Sequence, residues 1–179
     1  MKTIITTLCL LISPLTLAAD YQHALSAGIG WGVTEASSDK DIDTDDVQTH
    51  YDIAYRYQFN PEWGVELGYM EQDVFLTDII TINNQLKDVY SFRVAALYAL
   101  PLSQRNRLVF KLGANQYNLK FIDTNNDDQR HKKDGVGLLA GLGWRFEFSS
   151  GLEMSVNYAF QTMDLLDTHT TTINLGYRF

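Results

Sequence analysis

The sequence has little of three things: cysteine, positive charge and long apolar runs. Its one cysteine, Cys9, lies in an N-terminal segment that we expect to be removed, so the mature chain would have no thiol for disulfide bonds or thiolate catalysis. The 14 basic residues are outnumbered by 22 acidic ones, and the formal net charge of -8 argues against nucleic acid as a partner. Beyond the N-terminal segment, no stretch predicts a transmembrane helix.

The N-terminal segment has the pattern of an export signal. Lys2 supplies a positive charge, residues 4–17 form a short apolar run, and small residues suited to cleavage follow from Ala18. The run is shorter and richer in Thr and Ser than a membrane-spanning helix requires. We therefore predict a cleaved signal peptide at residues 1–19 and a single domain at residues 20–179.

The last segment, Thr168–Phe179, alternates in the way that a β-strand requires. Successive side chains on a strand point to opposite faces, so residues of one parity share a face. One parity is mostly apolar and ends on an aromatic residue, and the other is small or polar: Thr171, Ile173, Leu175, Tyr177 and Phe179 against Thr170, Thr172, Asn174, Gly176 and Arg178. The same alternation recurs along the chain, which suggests a sheet that closes on itself.

Seven earlier segments repeat this pattern, which predicts about eight strands in all. They lie at residues 23–33, 47–59, 63–70, 90–100, 108–115, 136–148 and 152–161. The alternation of the fifth segment fades after Gln116. The connections after the second, fourth and sixth strands are short turns, whereas longer or more polar connections fall at 35–46, 71–86 and 123–134, and a short loop passes through Leu166 and Asp167. This rhythm is typical of a transmembrane β-barrel.

The polar face of the predicted strands carries charges of both signs, such as Arg56, Glu66 and Arg93, while the other face is apolar and aromatic. An eight-stranded barrel has room only for packed side chains, and the aromatic face would overfill it. We therefore predict that the aromatic face points into lipid and that the charges pair inside. A mean hydropathy of -0.17 is no objection, because two such faces cancel. The aromatic residues also cluster near both ends of the predicted strands, as membrane-interface belts do.

Together these features resemble the small outer-membrane barrels of Gram-negative bacteria, of the OmpA membrane-domain and OmpX/Ail type. The resemblance rests on the signal peptide, the eight alternating segments and the terminal strand, and it covers the whole mature chain. It implies an antiparallel up-and-down barrel in the outer membrane, a monomer with both termini in the periplasm. It also implies that Tyr177 and Phe179 form the signal that the assembly machinery recognises. The chain ends at the barrel, so the cell-wall tether of full-length OmpA is not implied.

The residues predicted to face the interior include bulky Arg, Glu and Gln side chains. They predict a plugged lumen, with a narrow porin-like channel as the alternative. Barrels of the resembling type include lipid A acyltransferases and deacylases, which use His with Ser and acidic partners. His50 lies near the outer end of a predicted strand, with Asp88 and Ser91 at a similar height, but its position in the alternation predicts a side chain that faces the lumen. We therefore expect a hydrogen-bonded interior histidine, no enzymatic activity and no cofactor.

Two acidic stretches begin like calcium-binding loops. Both lack the glycine of the sharp turn, and both have an aspartate, Asp52 or Asp134, where a glutamate closes such a loop. Solvated acidic loops are the simpler interpretation, and weak binding of divalent cations that bridge lipopolysaccharide phosphates is the alternative. The candidate ligands are Asp41, Asp43, Asp45, Asp123, Asn125 and Asp127.

The connection between the third and fourth strands contains an apolar stretch, residues 74–82. It is too apolar for a plain solvated loop, and we expect a hairpin above the membrane whose interaction surface is Phe75, Leu76, Ile79 and Ile80. Packing against neighbouring loops or lipopolysaccharide is the alternative. The sequence thus predicts a structural or surface-interaction protein in contact with lipid and lipopolysaccharide, with a host or matrix protein as candidate partner.

Overall fold

The computed structural model describes residues 22–36, 47–73, 86–123, 129–163 and 166–179, and in these ranges the chain forms eight β-strands. The strands are β1 (His23–Ala36), β2 (Val47–Gln58), β3 (Trp63–Asp73), β4 (Leu86–Pro101), β5 (Asn106–Asp123), β6 (Gln129–Glu147), β7 (Leu152–Met163) and β8 (Leu166–Arg178). Each pairs antiparallel with its neighbours in sequence, and β1 pairs with β8, so the sheet closes into a barrel. The predicted up-and-down barrel is confirmed. Within the described ranges, no helix is long and apolar enough to cross a membrane.

The two faces of the barrel wall are inverted relative to a soluble protein. Leu112 on the outside is 69% exposed and Val136 is 74% exposed, whereas Glu66 on the inside is 5% exposed. A water-soluble barrel would instead place its apolar face inside, because burial of apolar surface stabilises the fold. The outward surface therefore requires an apolar surrounding, as a lipid bilayer provides.

Short turns close one end of the barrel, and side chains or glycine stabilise them. Asn60 Oδ1 accepts hydrogen bonds from the backbone N–H of Glu62 (3.0 Å) and of Trp63 (2.8 Å) in the β2–β3 turn. In the β6–β7 turn Gly151 has φ +88°, a left-handed conformation that side chains other than glycine adopt at a cost. At this same end the backbones of His23 and Phe179 exchange two hydrogen bonds, of 3.2 and 2.8 Å.

Several predicted strand ends were wrong, and the largest errors lie at the opposite end. The predicted loop 123–134 is shorter, since β6 already begins at Gln129 and pairs there with Asp123. Likewise Leu166 and Asp167 belong to β8, Glu35 belongs to β1, and residues 71–73 belong to β3. Alternation reports the contrast between a buried and an exposed face, and this contrast disappears where both faces of a strand meet water.

Strands β5 and β6 are the longest, at 18 and 19 residues, and their paired ends form a feature that we call the hairpin extension. We define it as Asn118–Asp123 of β5 with Gln129–Asp134 of β6, which pair residue by residue. The register between β6 and β7 begins only at Leu139 and Gln161, and β7 ends at Met163. The extension therefore rises past the end of β7 by roughly 25 Å along the strand direction, at about 3.3 Å per residue.

Candidate functional site: the filled lumen and the hairpin extension

Side chains that point inwards fill the barrel, and they form two layers along its axis. The layer near the short turns, which we call the charged layer, contains Asp52, Arg56, Glu66, Arg93, Arg107, Lys111, Arg145, Glu147, Glu153 and Arg178. The layer toward the other end, which we call the neutral layer, contains Gln48, His50, Gln72, Ser91, Gln161 and Thr172. In both layers, the side chains that the alternation predicts to face inwards do so.

Arg93 is the centre of the charged layer. Its guanidinium donates to both carboxylate oxygens of Asp52, at 2.5 and 3.0 Å, and to Glu66 Oε1 at 3.1 Å. The Lys111 ammonium donates to both oxygens of Glu66 at 2.8 Å. Two cations and two anions thus neutralise one another, and charge-assisted bonds of this kind are the strong ones. Gly68 leaves the space that Arg93 occupies, because a Cβ at this position would collide with the guanidinium.

Closer to the short turns, two glutamates bind arginines from other strands. Arg56 of β2 donates two hydrogen bonds to Glu153 of β7, at 2.9 and 2.6 Å, across the lumen. Glu147 accepts hydrogen bonds from Arg107 Nε at 2.9 Å and from Arg178 Nη1 at 3.3 Å. Bidentate pairing of this kind fixes the geometry of both side chains. The charged layer therefore links opposite walls of the barrel.

The neutral layer is held by hydroxyl, amide and imidazole groups. His50 Nε2 lies 2.7 Å from Thr172 Oγ1, and the Gln72 amide donates to Gln48 Oε1. Ser91 Oγ donates to Gln161 Oε1 at 3.1 Å. Buried polar groups need such partners, because an unpaired one keeps its full desolvation cost.

These contacts decide against the catalytic arrangement considered for His50. Its ring bonds to Thr172, and Ser91 bonds to Gln161 instead. His50 has no exposed surface, so its ring cannot meet a lipid at the outer wall. The expectation of a hydrogen-bonded interior histidine is confirmed, whereas the side chain of Asp88 lies outside the described part of the structure.

The space left inside the lumen is small. One cavity of about 20 Å³ lies in the charged layer, and another of about 30 Å³ lies where the two layers meet, lined by Arg93, Met70 and Thr172 among others. A cavity needs about 10–15 Å³ to hold one water molecule, so the smaller has room for about one or two and the larger for about two or three. The arrangement can hold ions and waters in place between side chains that bind one another across the lumen.

Aromatic rings surround the outer wall in two groups. Near the short turns, Trp63 and Tyr98 have ring centroids 4.9 Å apart, and Phe146 and Phe148 have centroids 4.8 Å apart. Near the opposite end, Tyr69 packs on Phe92 at 4.9 Å, and the ring nitrogen Nδ1 of His169 lies 2.6 Å from the Tyr158 hydroxyl. Rings with one polar group prefer membrane interfaces, so the two groups mark the two borders of the lipid-facing band.

Neither predicted calcium loop has the expected shape where the structure describes it. Asp52 is a strand residue that pairs with Arg93, and Asp134 lies in β6 opposite Asn118, so neither can close a loop as predicted. Asp123 is the last residue of β5. In the described ranges no three His, Cys, Asp or Glu residues lie together in a way that could hold a metal ion. The other candidates, Asp41, Asp43, Asp45, Asn125 and Asp127, lie outside the described residues.

The predicted interaction residues Phe75, Leu76, Ile79 and Ile80 also lie outside the described residues. The hairpin extension was not predicted from the sequence, because residues 123–134 have the composition of a charged loop. The extension carries a basic group whose strand positions are adjacent: Lys120 is opposite Lys132, and Ile122 is opposite Arg130. The run of Arg130, His131, Lys132 and Lys133 in an acidic chain was a usable signal for a surface of the opposite sign.

The predicted assembly signal lies at the short-turn end. Tyr177 is opposite Leu25 on β1 and Leu152 on β7, and its side chain is exposed to the surroundings. The Phe179 ring stacks on His23 with centroids 5.9 Å apart. Recognition of these residues by the assembly machinery stays a prediction.

Comparison with known proteins gives one family match and several matches to solved structures. The model of the outer membrane protein beta-barrel domain family matches residues 4–179. The chain is similar to Neisserial surface protein A, with 10% identity, a TM-score of 0.70, and coverage of 91% of this chain and 100% of that one. It is also similar to Ail of Yersinia pestis, with 20% identity, a TM-score of 0.61, and coverage of 88% and 97%.

A third solved structure, OprG from Pseudomonas aeruginosa, has 15% identity and a TM-score of 0.57, and covers 88% of this chain and 95% of that one. Identities this low show a common fold and nothing finer. The Ail barrel has also been solved in complex with the heparin analogue sucrose octasulfate. No match was found among curated proteins.

Proposed function

Because the chain belongs to the outer membrane protein beta-barrel domain family, and is therefore an outer-membrane protein with periplasmic termini, we propose that it is a non-conducting barrel that acts in surface interaction. The filled lumen is the observation that carries this proposal. Its charged side chains bind one another across the lumen and leave cavities of only about 20 and 30 Å³. A solute would have to break several charge-assisted hydrogen bonds to pass. The narrow channel is therefore the weaker alternative.

The hairpin extension gives the protein a place for interaction on the outer side of the membrane. At the same end of the barrel β3 ends at Asp73 and β4 begins at Leu86, and the sequence between them contains the apolar residues Phe75 and Ile80. We place the interaction surface on these two features together. Apolar side chains beside a raised strand pair are suited to contacts with an extended partner.

An anionic partner fits the extension best. Lys120, Lys132 and Arg130 lie at adjacent positions on β5 and β6, although the chain as a whole is acidic. Sulfate groups on a matrix polysaccharide supply the matching charge, and the Ail complex with a heparin analogue supports this class of ligand. An enzymatic role has no such support, because the ring of His50 is buried and lies at hydrogen-bond distance from Thr172.

The test is binding of a heparin oligosaccharide to the protein in lipid nanodiscs. We expect the double substitution Lys120→Ser with Lys132→Ser to lower the affinity roughly tenfold, since each lost ion pair contributes up to about 1 kcal/mol. Arg105→Ser is the control, because Arg105 is exposed in a turn at the periplasmic end. Equal affinity of the double variant and the control would contradict the glycan assignment.

The apolar part of the surface has its own experiment. Cells that display Phe75→Ser with Ile80→Ser should lose adhesion to matrix-coated surfaces, while the amount of folded barrel, seen as heat-modifiable gel mobility, stays the same. Unchanged adhesion would remove these residues from the interaction surface.

A further inference from the structure

The charged layer holds more positive than negative charge near the periplasmic end. Among the described residues this part contains the cations Arg56, Arg107, Arg145 and Arg178 and the anions Glu147 and Glu153. The neighbouring group around Arg93 is balanced, as described above. The cations of this part therefore outnumber its carboxylates by two.

Three of these arginines donate hydrogen bonds to carboxylates. Arg56 binds both oxygens of Glu153, and Arg107 and Arg178 bind Glu147. Arg107 also donates to the carbonyl of Pro61 at 3.1 Å, and Arg178 donates to the carbonyl of Phe148 at 2.8 Å. Both of these side chains thus reach backbone carbonyls at the short-turn end of the barrel as well as a carboxylate.

Arg145 is different. It is only 2% exposed, and none of its three guanidinium nitrogens has a hydrogen-bond partner among the described residues. The nearest carboxylate is Glu147, at 3.7 Å from Arg145 Nε, which is too long for a hydrogen bond. A buried cation in this state carries a desolvation cost that only an acceptor could offset.

Arg145 lines the cavity of about 20 Å³ in the charged layer, together with Arg56 and the neutral residues Ser155, Asn157 and Asn174. The carboxylates that also line it, Asp52, Glu66 and Glu153, are all engaged by other cations. The other two cations of the lining, Arg56 and Lys111, bind these carboxylates, whereas Arg145 makes no hydrogen bond to the described residues. The cavity thus combines one unpartnered guanidinium, neutral hydrogen-bonding groups and room for one small ion.

We propose that this cavity is a binding site for one small monovalent anion, with chloride as the ion of choice, held by the Arg145 guanidinium. The anion accepts the hydrogen bonds that Arg145 cannot make to the protein, and it neutralises one of the two surplus charges. Sulfate and phosphate are too large for the space. This site is at the periplasmic end and is independent of the surface interaction proposed above.

The test compares urea unfolding of the protein, followed by heat-modifiable gel mobility, in potassium chloride and in potassium gluconate at equal ionic strength. Equal ionic strength removes general screening as a cause of any difference. We expect chloride to raise the unfolding midpoint of the wild type by about 0.5–1 M urea, because a ligand that binds only the folded state stabilises it. Equal midpoints in the two salts would overturn the proposal.

Two variants assign the effect to the site. Arg145→Met keeps the length of the side chain but removes the charge, and it should abolish the difference between the salts. Arg105→Gln removes one charge from an exposed turn and should keep the difference. A chloride response of equal size in Arg145→Met would overturn the proposal.

Bromide-soaked crystals of the wild-type protein give a readout that does not depend on the variants. Bromide scatters anomalously, and a peak beside the Arg145 guanidinium would support the site. Ordered water without an anomalous peak at that position would contradict it.

Discussion

The charged and neutral layers of the lumen fill the same barrel by different means. In the charged layer, the single side chain of Arg93 binds carboxylates from two strands, Asp52 of β2 and Glu66 of β3. In the neutral layer, contacts are single bonds such as that between His50 and Thr172. The comparison teaches that both layers fill the lumen, but that the loss of a side chain has unequal consequences in the two. Removing one member of a charge group leaves buried charge, whereas removing a hydroxyl leaves one unpaired dipole.

The largest loss is expected when Arg93 is removed from the charged layer. Arg93→Met leaves Asp52 without a cation and Glu66 with Lys111 only, and breaking a buried pair costs about 3–5 kcal/mol of unfolding free energy. Urea titration of the refolded protein measures this loss, with the exposed Arg105→Met as control. A loss below 1 kcal/mol would show that water screens the charged layer.

A double-mutant cycle on Arg56 and Glu153 sharpens the comparison. Each single change to Met should cost about 2–4 kcal/mol, because the other charge stays buried without its bidentate partner. The double variant should regain most of that loss, since neither member of this pair is then left without the other. Additive losses in the cycle would mean that the two side chains act independently.

Thr172→Val tests the neutral layer, and a smaller loss is expected there. The change keeps the shape but leaves His50 Nε2 without its partner, which costs about 1–3 kcal/mol. Thr171→Val is the matched control, because the neighbouring residue has the opposite parity and should change stability by less than about 0.5 kcal/mol. Equal effects at the two positions would contradict the hydrogen bond as the cause.

Ser91→Ala should have the smallest effect of the series. It removes the donor to Gln161 Oε1, and a single neutral hydrogen bond contributes about 0.5–1.5 kcal/mol. The same urea titration measures it. A loss as large as that of Arg93→Met would abolish the distinction between the two layers.

The sequence predicted the wall of the barrel well because the wall follows a local rule. The alternation of polar and apolar residues predicts Arg93 and Glu66 on the inside and Leu112 on the outside, and the structure confirms all three positions. The aromatic groups followed from the same rule together with position along the strands. A contrast between faces is written into consecutive residues, so no long-range information was needed.

The pairing of the interior charges could not be predicted, because it depends on the stagger between strands. Arg93 lies opposite Gly68 on β3, yet it binds Asp52 and Glu66, which belong to other rows of the wall. The surplus cation Arg145 emerges only when these pairs are known. The hairpin extension was missed for a different reason: the alternation of the fifth segment fades after Gln116, and Lys120 lies beyond that point.

Single-channel conductance of the refolded protein in planar bilayers tests the filled lumen most directly. Heat-modifiable gel mobility on the same sample establishes that the barrel is folded. We predict a folded barrel with no steady conductance steps, because the ion pairs of Arg93 and Arg56 close the lumen. Steady steps from the folded wild-type protein would contradict this and would make the protein a narrow channel.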